Sequence, residues 1–549
     1  MRARTLAAVS AGAVLASLVA GVPARAEQTG TAAGAAPAAT GELVWAPCED
    51  IAPVGDETLE CATLTVPLAR TDDGARIHGL GDTVELALSR VPATGRAERT
   101  MLVNPGGPGS AGRMWAAHTH RRMPAELRES YDVVSFDPRG VGASTPSITC
   151  DPAFFAPVRR DTVPADADAE AALRAGAEDY AEACGANTGR LLDHVRTEDT
   201  AHDMDAIRAA LGVETIDYLG YSYGSYLGTV YSSLYPDRVR ALVLDSVVNP
   251  DNPWYESNIE QSRALDRAAD GFFDWVARND AAYGLGADGD TVSEAYYSLR
   301  AELAATPAAG TVGPTELEGA VIVVAYSGGT WPRVAEALAA RINDGDDAPL
   351  LSLHEDYGDD AGSDRGYGGY LAVQCTDARW PEDWSTWRTD AERLHAEAPF
   401  MGWHNMWYNA PCATWDGDSD DWFQVGDGRG EHPAYGGDAL VVHATRDGAT
   451  PVEGAYALRN RLPGARLVIE EGGLTHGVSL TGNTCVDEVV TAYLRDGEVP
   501  ARDGGEGADV VCEGRPEPRP RTSQAVPETM VERIGPVGME SPGKPGSSE

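Results

Sequence analysis

The stretch Gly220-Tyr221-Ser222-Tyr223-Gly224 decides the fold because of what stands on either side of it. The apolar segment 216–219 precedes it, and the helix-compatible segment 225–231 follows it. A serine between two glycines at a strand-to-helix junction is typical of a strained turn that lifts the hydroxyl above a sheet. The pattern predicts Ser222 as a nucleophile, and the alternative is a glycine-rich turn whose serine only caps the helix.

Other short apolar segments also end in glycine or polar residues. They lie at 100–103, 131–136, 239–244 and 439–443. Apolar strands that alternate with helical segments are typical of a parallel sheet covered by helices, and such sheets place their sites at the carboxyl ends of the strands. We therefore predict an α/β protein with the α/β-hydrolase fold, whose mostly parallel sheet is flanked by helices. Long helical stretches rich in Trp and Tyr predict an inserted, mainly helical lid at 251–432.

The remaining segments follow from composition. Residues 1–26 have the layout of a secretory signal peptide, with basic residues, an apolar run and the cleavage motif Ala24-Arg25-Ala26. The other predicted segments are a leader or propeptide linker at 27–41, the hydrolase core at 42–250 and 433–513, and a disordered tail at 514–549. We expect a secreted, extracellular protein without a membrane anchor, because no later stretch is long and uncharged enough to be one.

The predicted nucleophile needs a base that a carboxylate orients, because a hydroxyl is a poor nucleophile at neutral pH. In this fold the order along the chain is serine, acid, histidine, and that order filters the 11 histidines. His476, in the loop after the apolar segment 467–469, is the histidine that lies beyond a suitable acid. The sequence favours Asp447 as that acid, because it follows the segment 439–443, and leaves Asp245 as its rival.

The oxyanion of the tetrahedral intermediate needs N–H donors. The predicted donors are Tyr223, which follows the nucleophile, and Gly107 in Asn104-Pro105-Gly106-Gly107-Pro108-Gly109. Glycines let this backbone approach the reacting centre closely. A phosphate-binding loop is disfavoured, because the Gly-Lys-Ser/Thr ending is missing and the prolines remove N–H groups.

Eight cysteines fall into four neighbouring couples. They are Cys48 with Cys61, Cys150 with Cys184, Cys375 with Cys412, and Cys485 with Cys512. In an exported protein an even number of cysteines predicts disulfides, and the spacing favours pairing within each couple, although other connectivities stay open.

The net charge of −42 bears on partners and ligands. Such a charge repels phosphate backbones and anionic lipid surfaces, so we expect neither nucleic acid nor a membrane as partner. The acidic segment 416–421 departs from a calcium loop, because Asp421 stands where the sixth residue should be glycine. We expect no metal and no cofactor, and the sequence does not indicate an oligomeric state.

Together these motifs resemble the secreted tripeptidyl aminopeptidases of actinobacteria, α/β-hydrolase serine peptidases related to proline iminopeptidase. The resemblance rests on the segments 61–67, 104–109, 137–142, 220–224, 375–377 and 412–415, and on the loops that carry Asp447 and His476. It implies release of short peptides, typically of three residues, from the free N-termini of peptide substrates. The alternative is a carboxylesterase that uses the same triad.

An aminopeptidase must hold a protonated amine at a fixed distance from Ser222, which requires carboxylates in the lid. The candidate amine-binding residues are Glu256, Glu260 and Asp377, and for each the alternative is a solvated or structural acid. A non-catalytic binding module is the third hypothesis. It would be marked by a missing triad residue, and the sequence contains all three.

Overall fold

The computed structural model describes residues 43–70, 83–417, 419, 421–425 and 434–520. The predicted signal peptide, the predicted leader and residues 521–549 of the predicted tail lie outside this part of the chain.

A ten-stranded sheet runs through the described residues. The strands are β1 (Ala46–Pro47), β2 (Glu60–Pro67), β3 (Thr83–Val91), β4 (Arg99–Asn104), β5 (Tyr131–Phe136), β6 (Ile216–Tyr221), β7 (Val239–Asp245), β8 (Ala439–Ala444), β9 (Ala465–Glu471) and β10 (Val510–Glu513). Their spatial order is β1-β2-β3-β5-β4-β6-β7-β8-β9-β10. The pairs from β5 to β10 are parallel, and the pairs that join β1, β2, β3 and β5 are antiparallel. The predicted mostly parallel sheet is confirmed.

Helices cover the sheet and form the insertion. Before β8 they are α1 (Met114–Arg122), α2 (Ala125–Arg128), α3 (Ala167–Thr188), α4 (Thr197–Ala210), α5 (Tyr223–Leu234), α6 (Trp254–Arg278), α7 (Asp280–Tyr283), α8 (Gly289–Ala305), α9 (Pro314–Val321), α10 (Trp331–Ala339), α11 (Ala348–Tyr357), α12 (Ser363–Asp377), α13 (Trp384–Glu397) and α14 (Gly402–Asn409). After it come α15 (Glu453–Arg461) and α16 (Thr484–Asp496).

The central strands are buried on both faces, as parallel sheets covered by helices require. Alternate residues of a strand point to opposite faces, so Leu102 and Leu242 pack into one core cluster while Met101 and Val243 pack into another. All four side chains are fully buried. The sheet therefore holds the carboxyl ends of β4, β6, β7, β8 and β9 in fixed positions.

Helices α6 to α14 stand between β7 and β8, where the sequence predicts the lid. This insertion has a hydrophobic core of its own, in which Phe272, Trp275 and Trp331 are buried. The 3-10 turns Ile322–Ala325 and Gly328–Thr330 belong to it, and the residues between them reach the loops at the carboxyl edge of the sheet.

Four disulfides join the cysteines. The pairs are Cys48–Cys61, Cys150–Cys184, Cys375–Cys412 and Cys485–Cys512. They are the neighbouring couples of the sequence, and each crosslinks a short loop, which limits the freedom of the unfolded chain.

The first residues of the predicted tail make contacts in the structure. Glu517 accepts two hydrogen bonds from Arg278 of α6, at 2.8 and 2.9 Å, and the carbonyl of Pro518 accepts one from the indole of Trp275 at 3.0 Å. The backbone N–H of Arg515 donates to Glu470 at the end of β9, at 3.1 Å. The segment 515–518 therefore joins the insertion to the sheet, whereas the sequence places the whole of 514–549 in a disordered tail.

Candidate active site

Ser222 occupies a sharp turn between β6 and α5. Its φ of 56° and ψ of −128° lie in a region that residues with a side chain rarely adopt, so the turn is strained. The turn is held from both sides: the N–H of Ser222 donates to the carbonyl of Asp245 at 2.9 Å, and its carbonyl accepts the N–H of Ser225 at 2.8 Å. Ser222 is partly exposed although β6 is buried throughout. The turn thus presents the serine at the carboxyl edge of the sheet.

The two glycines of the motif are required by close packing of backbone around the turn. A Cβ on Gly220 would lie 2.2 Å from the carbonyl oxygen of Gly224, and one on Gly224 would lie 2.6 Å from the carbonyl oxygen of Asn104. These distances are shorter than any carbon–oxygen contact allows. The strand, the helix and the loop after β4 can meet here only because both positions lack a side chain.

Asp447 and His476 lie in the loops that follow β8 and β9, and their side chains meet. The imidazole Nδ1 lies 2.8 Å from Oδ2 and 3.0 Å from Oδ1 of the carboxylate. Both residues are buried. The structure therefore brings together the acid and the histidine that the sequence predicts as a pair, although they are 29 residues apart in the chain.

The surroundings of Asp447 favour its ionised form. Burial opposes ionisation. The charge of His476, its hydrogen bond to the carboxylate, and the N–H groups of Ala449 and Thr450 at 2.9 Å all favour ionisation, and together they outweigh burial. Together they hold the pKa of the Asp447 carboxyl well below its usual range. A permanently charged carboxylate on Nδ1 fixes the tautomer of the imidazole and leaves Nε2 as the basic nitrogen.

Nε2 of His476 is buried and has no hydrogen-bond partner among the described residues. The hydroxyl of Ser222 therefore makes no hydrogen bond to this nitrogen, although the Asp447–His476 contact and the serine turn are both formed. Catalytic hydrogen bonds of this kind commonly tighten only when substrate is present.

Asp245, the rival acid, makes different contacts. Its carboxylate accepts the backbone N–H groups of Val478 at 3.0 Å and Ser479 at 2.5 Å, just beyond His476 in the same loop. The hydroxyl of Ser246 accepts the N–H of Gly477 at 2.8 Å. These bonds hold the backbone of the histidine loop, and Asp245 makes no hydrogen bond to the imidazole within the described part of the chain.

The glycine loop after β4 lies against the serine. A Cβ on Gly106 would lie 2.8 Å from Cβ of Ser222 and 3.0 Å from the nitrogen of Tyr223. Gly106 and Gly107 have φ values of +99° and +105°, which favour glycine. Tyr223 is the first residue of α5, where the helix provides no acceptor for its N–H. The loop and the helix start are therefore positioned to direct N–H groups at an oxygen bound beside Ser222.

The insertion also contacts this site, which sequence reasoning missed. The carbonyl of Tyr326 accepts the N–H of His476 at 2.8 Å, and its ring packs edge-on against the imidazole with centroids 5.5 Å apart. The carbonyl of Ala325 accepts the N–H of Gly448 at 3.2 Å, next to the acid. No local pattern marks these residues, since the contacts span more than 100 residues of chain.

The three predicted amine-binding acids are not brought together. Glu256 is exposed on α6, and Glu260 accepts a bond of 3.4 Å from Asn249. Asp377 is 4% exposed at the end of α12 and accepts bonds from the N–H and hydroxyl of Thr197 at 2.7 and 2.6 Å. The Thr197 hydroxyl lies 2.8 Å from that of Tyr223, the residue after Ser222.

Glu198 stands beside Asp377 and was not predicted. Burial, followed by the negative charge of Asp377, raises the pKa of Glu198 to about 8. Burial likewise raises the pKa of Asp377 to about 6. Thr197 connects Asp377 to the serine turn, because its hydroxyl contacts both Asp377 and the hydroxyl of Tyr223, the residue after Ser222. The sequence holds no spacing signal that joins positions 198 and 377.

Thr450 reaches both members of the acid–base pair. Its hydroxyl lies 3.1 Å from Oδ2 of Asp447 and 3.4 Å from Nδ1 of His476. We expect Thr450→Val to lower kcat about tenfold with little change in KM, because one hydrogen bond that positions the pair is lost. Steady-state kinetics would measure this, with Thr491→Val in α16 as the matched control. Equal activity of both variants would show that the hydroxyl does not position the pair.

Among the described residues, no group of three or more His, Cys, Asp or Glu side chains is placed to hold a metal ion. Likewise, no helix in this part of the chain is long and apolar enough to cross a membrane.

Family models match most of the chain. The model for the alpha/beta hydrolase fold matches residues 99–357, and the model for a TAP-like protein matches residues 398–506. The tripeptidyl aminopeptidase of Streptomyces lividans is 40% identical over 507 residues, which cover 90% of this chain and 91% of that protein. The serine protease Hip1 of Mycobacterium tuberculosis is 32% identical over 481 residues, covering 83% and 89%.

Other relatives carry different names. A protein of Mycobacterium tuberculosis named carboxylesterase B is 33% identical over 486 residues, covering 85% of this chain and 90% of that one. The crystal structure of proline iminopeptidase from Mycobacterium smegmatis is 16% identical, with a TM-score of 0.30, and covers 76% and 91%. The family models and the observed sheet, rather than that likeness, establish the fold. The chain therefore belongs to the tripeptidyl aminopeptidase family, a family of serine peptidases with the α/β-hydrolase fold.

Proposed function

We propose that this protein is a secreted serine exopeptidase that removes tripeptides from the free N-termini of peptides through an acyl-enzyme. The observation that carries the mechanism is the buried contact of 2.8 Å between Nδ1 of His476 and Asp447, beside a strained serine turn. The names of the Streptomyces relatives support the substrate. The four disulfides support an extracellular location.

In this mechanism the hydroxyl of Ser222 attacks the carbonyl carbon of the third peptide bond while Nε2 of His476 takes its proton. The N–H groups of Gly107 and Tyr223 stabilise the resulting oxyanion. The imidazolium then protonates the leaving amine, and the charge of Asp447 stabilises the imidazolium without accepting its proton. Water, deprotonated by the same imidazole, hydrolyses the acyl-enzyme and releases the tripeptide.

Glu198 and Asp377 are the acids that best suit the substrate amine. Burial raises the pKa of both carboxyl groups, and for Glu198 the charge of Asp377 raises it further, so the charged form of each would be stabilised by an approaching cation. The bonds that Thr197 and Trp254 donate already hold Asp377 in place. Among the described residues, no other side chain donates a hydrogen bond to the Glu198 carboxylate, and Glu198 is partly exposed, so its carboxylate is the one available to an ammonium group.

We expect Glu198→Gln to raise KM for tripeptide anilides with a free amine by about 10- to 100-fold, the effect of losing one charged hydrogen bond. Glutamine resembles the neutral carboxyl in size, so the fold should persist. In the same variant, KM for an acyl ester without an amine should change less than twofold. The control is Glu392→Gln, at an exposed acid of α13, in which KM for the anilide and KM for the ester should both change less than twofold. Equal changes of KM for both substrates would contradict the assignment of Glu198 as the amine-binding acid. The same rise of KM in Glu256→Gln would assign that role to Glu256 on α6 instead.

The pH dependence of KM gives a second readout. A carboxyl with a pKa of about 8 is neutral below that pH and charged above it, while the substrate ammonium is charged below about 8. KM of the natural enzyme for free-amine substrates should therefore fall from pH 6 to 8 and rise above it. The groups that face Glu198 are Asp377 on α12, Asp199 and Arg196 on or before α4, and the tyrosines of α5. In Glu198→Gln the fall between pH 6 and 8 should be smaller.

A carboxylesterase with the same residues is the second candidate, and the carboxylesterase name of one relative favours it. Three substrates distinguish the peptidase from the esterase: a tripeptide anilide, its N-acetylated form and a short acyl ester. We expect kcat/KM to be highest for the free anilide and at least about tenfold lower for the acetylated form. Fast hydrolysis of the ester alone would favour the esterase.

A further inference from the structure

A cavity of about 530 Å³ lies beside His476. Its walls are the histidine loop from Leu474 to Gly477, the residues Tyr326 to Gly329 of the insertion, and the segment 515–518. Arg122, Glu470 and the residues 480–482 also line it, whereas Ser222 is not one of its lining residues. The cavity therefore has the histidine loop, but not Ser222, in its wall. Its volume is in the range of about 300–1,000 Å³ that small-molecule and peptide sites occupy.

The proposed mechanism predicts which part of the substrate lies next to His476. The imidazolium of His476 must pass its proton to the leaving amine, so the leaving part of the substrate lies on the side of the histidine. The acyl part lies on the other side, against the loop of Gly106 and the start of α5. A cavity that has the histidine in its wall but not the serine is therefore in the right place for the residues that follow the cleaved bond.

Two arginines line this cavity. The guanidinium of Arg122, at the end of α1, lies 5.8 Å from the ring centre of Trp115 and forms no ion pair with a carboxylate among the described residues. Arg515 donates from Nη1 to the carbonyl of Thr481 at 2.9 Å, its Nε lies 3.5 Å from Oε1 of Glu470, and 36% of its side chain is exposed. The guanidinium of Arg515 therefore keeps Nη2 for a further acceptor, and Arg122 has no carboxylate partner in the described part of the chain. Both are suited to bind a carboxylate.

Glu470 adds a buried acceptor to the same wall. Its side chain is fully buried at the end of β9, and Oε1 accepts bonds from Asn483 at 3.0 Å and from the N–H of Arg515 at 3.1 Å. Oε2 has no hydrogen-bond partner in the described part of the chain. A buried carboxylate oxygen without a donor is costly, and an N–H group of a bound peptide would relieve that cost.

We propose that this cavity binds the leaving peptide, and that Arg122 and Arg515 select leaving peptides that carry a carboxylate close to the cleaved bond. The carboxylate is either the C-terminus of a short substrate or an acidic side chain. Glu470 accepts an N–H of the same peptide. This inference rests on the proposed peptidase function and adds to it a preference on the leaving side, so that short peptides with a free C-terminus become favoured substrates.

The test compares matched hexapeptides, because a tripeptide anilide has no residues to enter the cavity. One pair differs only in a free or amidated C-terminus, and a second pair, both amidated, differs in Asp or Asn at the second leaving residue. We expect kcat/KM of the natural enzyme to be about 5- to 10-fold higher for the free carboxylate and for Asp at low salt, and the advantage to shrink at 1 M salt. The arm with the larger ratio identifies the source of the carboxylate.

Arg122→Gln and Arg515→Gln should each reduce these ratios, and the double variant should bring them to about one. Arg174→Gln, an exposed arginine of α3, is the matched control and should keep them. Because each value is a ratio between two substrates of one variant, a general loss of activity or folded protein cancels. Ratios that stay at the natural value in the double variant, or that equal one in the natural enzyme, would overturn the proposal.

A separate binding measurement distinguishes this failure from failure of the proposed function. Calorimetry with Ser222→Ala and the tripeptide that the hexapeptide would leave behind measures the cavity without catalysis. We expect the Arg122→Gln and Arg515→Gln changes to weaken that binding about 5- to 10-fold in this background. If hexapeptides are not cleaved but the product binds in this manner, the proposed function fails and the cavity assignment stands. If hexapeptides are cleaved and the product binds equally well to all variants, only the cavity assignment fails.

Discussion

Ser222→Ala should lower kcat/KM for a tripeptide anilide by about 10⁴- to 10⁶-fold, the largest loss we expect from any single substitution. The alanine removes the nucleophile but keeps the backbone of the turn, whose hydrogen bonds involve the N–H and carbonyl of residue 222. The residual rate would come from the oxyanion donors and from substrate binding. Initial rates at high enzyme concentration, with circular dichroism to verify the fold, measure the effect.

Ser233→Ala is the control for that substitution. Ser233 lies on α5, eleven positions beyond the nucleophile, and its buried hydroxyl has no hydrogen-bond partner within the described chain. Its removal should leave the kinetic constants within about twofold. If Ser222→Ala kept more than about 1% of the activity, a role for Ser222 as nucleophile would be untenable.

Asp447→Asn should lower kcat about 10⁴-fold with the structure intact. An asparagine oxygen can still accept the N–H groups of Ala449 and Thr450, which now bond to Oδ1 of Asp447. Its amide nitrogen would then face Nδ1 of His476 and donate to it, which moves the imidazole proton to Nε2. The nitrogen that should take the proton from Ser222 would already carry one. Single-turnover kinetics would show the loss in the acylation step.

Asp245→Asn is the informative comparison, because Asp245 is the rival acid. Its carboxylate accepts two N–H groups of the histidine loop, and an asparagine oxygen can retain one of them. We expect a fall in kcat of about tenfold at most, together with a lower melting temperature, as for one lost buried hydrogen bond. If Asp245→Asn were the more damaging of the two, Asp245 would be the catalytic acid.

The serine turn and its neighbours could be predicted from sequence because their signals are local. Strand, turn and helix are adjacent around Ser222, and the order of serine, acid and histidine along the chain limits the base to His476 and the acid to Asp447 or Asp245. Chain order could not exclude Asp245, since both acids follow strands. The backbone bonds of Asp245 to Val478 and Ser479 distinguish the two.

Contacts between distant segments could not be predicted. The residues Ala325 and Tyr326 bind the acid and histidine loops through backbone carbonyls, which leave no mark on side-chain patterns. Glu198 lies next to Asp377 only because α4 and the end of α12 meet. The sequence instead suggested Glu256, which lies on the exposed surface of α6. The prediction of amine-binding acids in the lid rests on residue type alone, and residue type does not indicate which acids are buried.

Digestion of a mixed pool of peptides, followed by mass analysis of the products over time, tests the central claim most directly. We predict that tripeptides appear from the N-termini of unblocked peptides, in successive steps of three residues, and that N-acetylated peptides in the same pool stay intact. Ser222→Ala should release nothing. Intact unblocked peptides after digestion by the natural enzyme, or products cut at internal positions irrespective of the N-terminus, would contradict it.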